Sequence, residues 1–121
     1  MNGREMPRPK EIWSLPKSGR VVYCLTDDDG TPMYVGSTIS PRNRARQHLY
    51  AGWRYVNGQG HIQNTDLSAW IGGLLLRGDW PRFVPVAEPG GFHEERQLLA
   101  LYREAGVPLL NRDYYVQGAR S

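Results

Sequence analysis

Residues Val21 to Gly36 read VVYCLTDDDGTPMYVG. The first five, Val21–Leu25, are β-branched, aromatic or aliphatic, a composition that suits a strand. Asp27, Asp28, Asp29 and Gly30 follow. Aspartate tolerates left-handed backbone and glycine adopts it freely, so this segment is a turn. Met33-Tyr34-Val35-Gly36 then reads as a second strand. Two short strands about an acidic, glycine-containing turn make an antiparallel hairpin. The hairpin hands the chain directly to a helix. Pro41 suits a first helical turn, Ser40 is placed to cap it, and Asn43–Ala51 contains no breaker. The spacing predicts a helix from about Pro41 to Ala51.

Working outward, Gly52–Gly60 is rich in glycine and aromatics and reads as a loop. Asn64 or Thr65 can cap a second helix, whose Leu67, Trp70, Ile71, Leu74 and Leu75 share one face. Gly78 ends it. Arg82–Glu88 reads as a third strand, and Pro85 within it demands an edge position or a bulge. Phe92–Glu104 is a helix with Leu98, Leu99 and Tyr102 as its apolar stripe, stopped by Gly106. Met1–Ser18 holds three prolines and no apolar period. It is expected to pack irregularly or stay loose, with Ile12, Trp13 and Leu15 as anchors. The order strand, strand, helix, helix, strand, helix predicts an α/β domain of the α+β kind. Its small three-stranded antiparallel sheet is flanked by helices. Residues 1–18 are expected to be an arm, 19–113 the domain and 114–121 a tail.

The totals narrow the class of function. At 121 residues the chain fits one domain able to bury a core without cross-links. Cys24 is the single cysteine, so an internal disulfide is excluded, and three scattered histidines do not make a zinc site with it. The first ten residues lack the apolar core of a secretory signal. Ala69–Leu76 is too short to span a bilayer. No membrane association and a cytoplasmic setting are the expectations. The net charge of +3 permits a polyanionic partner without requiring one.

Tyr23 and Tyr34 lie on neighbouring strands and sit near one another if the hairpin is tight. Judged alone, such a pair is usually core. Arg44 and His48, four residues apart, share one helix face. Taken in order, the pieces resemble the signature of the GIY-YIG nucleases. Val21-Val22-Tyr23 stands for the first triplet and, after ten residues, Tyr34-Val35-Gly36 stands for the second. Arg44 and His48 follow Gly36 at the family's spacing. Glu95, ahead of Leu98 and Leu99, matches the family's glutamate at the head of a helix, and Asn111 matches the asparagine beyond it. Glu94 is the neighbouring alternative to Glu95. The first triplet departs from the family by having valines in place of glycine and isoleucine. The resemblance spans Arg20–Asn111.

The resemblance implies a DNA endonuclease with Tyr23, Tyr34, Arg44, His48 and Glu95 as catalytic residues, and Gly36 and Asn111 in support. It implies one Mg²⁺ or Mn²⁺ on Glu95, with water and phosphate oxygens completing the shell. A tyrosine is then the general base, with Tyr34 preferred to Tyr23, or else His48 relays the proton. Arg44 is assigned to the scissile phosphate because its planar fork matches phosphate oxygens. Gly36 leaves room for close backbone approach, or marks a strand end that needs a turn. Arg42, Arg46, Arg54 and Arg77 are candidate phosphate contacts, and Trp53 or Tyr55 candidate stacking groups. Single- and double-stranded DNA both stay open as substrate. Sequence specificity is expected from a loop, a dimer or a partner protein rather than from the monomer. His61, in the glycine-rich segment, reads as a loop histidine. The alternative to an enzyme is an inactive nucleic-acid-binding module on the same fold.

Overall fold

A computed structural model describes Met6 and residues 9–58, 65–87 and 91–111. The expected tail beyond Asp113, the cap at Asn64, the turn residues Pro89 and Gly90, and His61 lie outside the described residues. The elements are α1 (Lys10–Trp13), β1 (Val21–Thr26), β2 (Pro32–Thr38), α2 (Pro41–Val56), α3 (Thr65–Leu76), β3 (Arg82–Ala87) and α4 (Phe92–Glu104).

The three strands form one antiparallel sheet in the order β2-β1-β3. β1 is central and buried along its whole length. That placement explains its sequence, because a strand covered on both faces needs apolar groups at every position rather than at alternate ones. Tyr23 and Leu25 point to one side, where they meet Ile12, Ala45, Leu49, Leu67, Ile71 and Leu75 of the helices α1, α2 and α3. Val22 and Cys24 point to the other, where they pack with Val35 and with Leu99 of α4. The sheet is therefore a middle layer between two helical layers.

The hairpin turn is held by Asp27. Its backbone N–H donates to the Thr31 carbonyl at 3.2 Å, and its side-chain oxygen accepts from the N–H groups of Asp29 and Thr31 at 3.2 and 3.0 Å. Gly30 has φ near 90°, which requires glycine there. β3 occupies the edge demanded by Pro85, and its pairing with β1 also shifts register between Val22 and Tyr23. At the opposite edge, the Leu110 N–H donates to the Met33 carbonyl at 2.6 Å. The chain after α4 thus covers part of the outer side of β2.

Three local expectations need correction. Ser40 makes no side-chain cap bond to α2; it accepts the Arg44 N–H on its carbonyl instead. The helix runs to Val56, so Gly52–Val56 is helical rather than loop. A Cβ on Gly52 would fall 2.5 Å from Ile71 Cγ2 and 2.9 Å from the Gly72 nitrogen, and one on Gly72 would fall 2.7 Å from the Gly52 carbonyl oxygen. Glycine in a helix costs about 1 kcal/mol relative to alanine. Here it lets α2 and α3 cross almost backbone to backbone, and the close packing offsets that loss. Finally, of the two behaviours expected of the arm, residues 9–18 pack, with Ile12 and Leu15 as anchors, and only the anchor role of Trp13 fails. Ile12 is buried, and Leu15 and Pro16 give their carbonyls to the Arg42 Nε and N–H at 3.1 Å each. Trp13 is not an apolar anchor but is about half exposed.

Candidate active site

Tyr23 is held by three neighbours. β1 pairs it with Gly36. Its ring stacks on Phe83 of β3 at a centroid distance of 4.3 Å and an interplanar angle of 14°. Its hydroxyl forms a 2.7 Å hydrogen bond with His48 Nε2. A Cβ on Gly36 would lie 2.5 Å from that hydroxyl oxygen. Gly36 therefore lies within β2, not at a turn, and the space it leaves is filled by the Tyr23 phenol rather than open to a ligand. Tyr34 pairs with Leu25, two pairs along the ladder on the same face, so the two tyrosines are diagonal neighbours with centroids 6.3 Å apart. The His48 ring meets both, at 5.8 Å from Tyr23 and 5.2 Å from Tyr34.

Arg44 stands one helical turn before His48 and is partly buried. Its Nη1 donates to the Gln47 side-chain oxygen at 2.9 Å. Burial by itself would lower its pKa, but the two phenols within charge and hydrogen-bond reach raise it on balance. The cation is thus fixed beside both hydroxyls. Burial and then Tyr34 push the Tyr23 phenol well above its ordinary 10.0, and Arg44 pulls back only part of the shift. Tyr23 is a neutral phenol at neutral pH. His48 is pushed down from 6.5 to about 3, by burial first and by Arg44 second, so the imidazole is neutral as well.

The depressed His48 pKa makes stability depend on pH. Between about 3 and 6.5 the unfolded chain binds a proton that the folded chain does not, so stability falls as pH drops through this window. At roughly 1.4 kcal/mol per unit, the loss is on the order of 5 kcal/mol. Thermal melting at a series of pH values is expected to show this slope, and His48→Gln is expected to flatten it. Equal slopes in both proteins would place the imidazole in water.

Glu95 reaches this cluster differently. It is buried at the start of α4, on the other face of the sheet, and its Oε1 accepts the Ser37 hydroxyl at 2.7 Å. Its charge is the weakest of the influences acting on Tyr23, and the one carboxylate among them. Glu94 points elsewhere: it is exposed, and its carboxylate accepts the Gly91 N–H at 2.8 Å, closing the first turn of α4. Asn111 grips β2, accepting the Val35 N–H at 2.9 Å and donating to the Val35 carbonyl at 2.8 Å. One residue thus supplies the pairing that a fourth strand would give.

Among the described residues, no three of His, Cys, Asp and Glu stand together as a metal cage. The donor chemistry fits a hard cation held by one carboxylate and completed by water and phosphate oxygens. Of the basic candidates, Arg42 is engaged with the arm through Leu15. Arg46 and Arg54 lie over the rings of Trp13 and Tyr50 at 5.5 and 5.6 Å, and Arg77 is exposed. Trp53 packs against the core and Tyr55 is exposed.

Three residues of the site were not singled out from the sequence. Phe83 stacks on Tyr23, Gln47 holds Arg44, and Ser37 holds Glu95. Gln47 carried a usable signal, since it lies three residues after Arg44 on one helix. Phe83 and Ser37 did not, because their partners are distant in sequence. Compared with known proteins, the chain matches no family model, no curated protein and no solved structure.

Proposed function

We propose that this protein is a metal-dependent endonuclease of the GIY-YIG type that hydrolyses phosphodiester bonds in DNA. One observation carries the proposal: two tyrosines, a histidine and an arginine that are dispersed in sequence meet around the 2.7 Å Tyr23–His48 bond. A plain hydrophobic core has no use for a partly buried guanidinium against two phenols.

Arg44 holds two phosphate oxygens and stabilises the charge that builds on them in the transition state. Glu95 would hold the Mg²⁺ or Mn²⁺, fixed in rotamer by Ser37. The ion, when bound, acts as a Lewis acid on the phosphate and stabilises the leaving oxygen. Tyr23 is fully buried and its proton is hard to remove, so it is poorly placed to take a proton from water. Tyr34 is partly exposed beside Arg44, and its oxygen takes the proton of the attacking water as its own hydroxyl proton passes to solvent. The Tyr23–His48 pair acts as a neutral wall that orients Tyr34 and keeps Arg44 the dominant charge.

The test is incubation with single- and double-stranded DNA in Mg²⁺, in Mn²⁺ and in chelator. Metal-dependent nicking is the expected result. Tyr34→Phe keeps the ring, so it should melt within about 1 kcal/mol of wild type while cutting at least roughly a hundredfold more slowly. Normal cleavage by that variant would move the base to His48. DNA binding without cleavage in every metal would favour the inactive binding module.

A further inference from the structure

A groove of about 370 Å³ opens between the arm and the outer face of α2. Clefts that bind small ligands span roughly 300–1,000 Å³, so it can admit a nucleobase. Trp13 and Tyr50 form part of its walls and are 48% and 55% exposed, with Ile12 also lining it. Asn43 and Gln47 bring side-chain amides to the same lining, each with donors and an acceptor of the kind that reads a base edge. Among the described residues, Arg46 is the one charged group that lines the groove, and it lies over the Trp13 ring.

Among the described residues, the charge that α2 brings to the groove has one sign. α2 carries Arg42, Arg44, Arg46 and Arg54 and no carboxylate. Glu11, the acid of α1, is directed to Trp80 Nε1 at 3.0 Å and towards Arg82. Gln47 connects the groove to the site, since it lines one and accepts from Arg44 of the other. An aromatic wall interleaved with arginine suits an unpaired base and its phosphate, because every base offers a π-face and a duplex keeps its faces stacked.

We infer that this groove is a subsite for an unpaired nucleobase, and that the preferred substrate is single-stranded or locally unpaired DNA. The inference takes from the nuclease reading what is cut, while binding at the groove stands independently of cleavage.

The experiment is fluorescence anisotropy of a labelled single-stranded oligonucleotide and of its duplex, in chelator and low salt. Wild type is expected to bind the single strand more tightly. Trp13→Ala with Tyr50→Ala should weaken single-strand binding by roughly five- to a hundredfold for each stack lost, with duplex binding unchanged. Trp13→Phe should restore most of the Trp13 contribution. Arg46→Gln, which removes a positive charge from an exposed position beside Trp13, should weaken single-strand binding and make it less sensitive to salt. Equal binding of both DNA forms by wild type, or equal losses on both in the variants, would overturn the inference. Single-strand binding through the groove without cleavage in any metal retains the subsite and sinks the nuclease. Cleavage with groove variants that bind like wild type does the reverse.

Discussion

Glu95→Gln is expected to lose DNA cleavage by roughly a thousandfold or more, a deficit of at least about 4 kcal/mol in transition-state stabilisation. The amide keeps the shape of the side chain and can still accept from the Ser37 hydroxyl, so the fold should be retained. What disappears is the negative charge needed to hold a divalent cation. Arg44→Ala should lose on the order of a hundred- to a thousandfold for a separate reason, the missing donors to the phosphate. Glu94→Ala is the control. Its carboxylate closes the first turn of α4, so the variant should melt slightly lower and keep its rate. Single-turnover nicking at saturating metal, paired with thermal melting, separates the three. Wild-type cleavage by Glu95→Gln would remove the metal from the proposed mechanism. Loss of cleavage in Glu94→Ala alone would move it one residue along α4.

Gly36→Ala is expected to destabilise the protein by about 3 kcal/mol, at the upper end of overpacking penalties. In a chain of this size that corresponds to a fall in Tm of roughly 10 °C. The backbone of Gly36 is not the obstacle, since it has no positive φ. The obstacle is the Tyr23 hydroxyl, 2.5 Å from where the methyl would sit. Tyr23 has no easy retreat, because Phe83 stacks on its face and His48 holds its oxygen. Displacing it would also break the bond to a buried imidazole and lower any activity that depends on the cluster. Tyr23→Leu removes the offending ring, so in that background Gly36→Ala should lose much of its effect. Differential scanning calorimetry of the four proteins in this cycle measures the coupling. An unchanged Tm in Gly36→Ala would mean that the phenol does not lie over β2 at this point.

Much of the fold was legible in the sequence. The β-branched run at Val21–Leu25, the Asp-rich turn and the apolar stripe of 92–104 are local signals, and local signals set strands, turns and helices. The position of Pro85 announced the edge strand. The four-residue spacing put Arg44 and His48 on one helix face before their partners were known. Misreadings arose where a distant contact overrode a local preference. Gly52 looked like a helix stop, but Ile71 and Gly72 lie against it and the helix continues. Trp13 looked like an anchor, yet Ile12 takes the buried position and leaves the indole on the surface.

By itself the sequence determined which side chains were available, their order, and the hairpin and helices that carry them. Only the tertiary structure separated Tyr23 from Tyr34, one sealed beneath Phe83 and the other partly exposed, and Glu95 from Glu94, one buried against Ser37 and the other closing a helix end. It also set the state of His48, whose pKa falls because burial strips water from the ring while Arg44 opposes a second positive charge. Periodicity and propensity act over a few residues. Burial and charge environment are set by neighbours such as Tyr23 and His48, or Ser37 and Glu95, which lie far apart along the chain and meet only once it has folded.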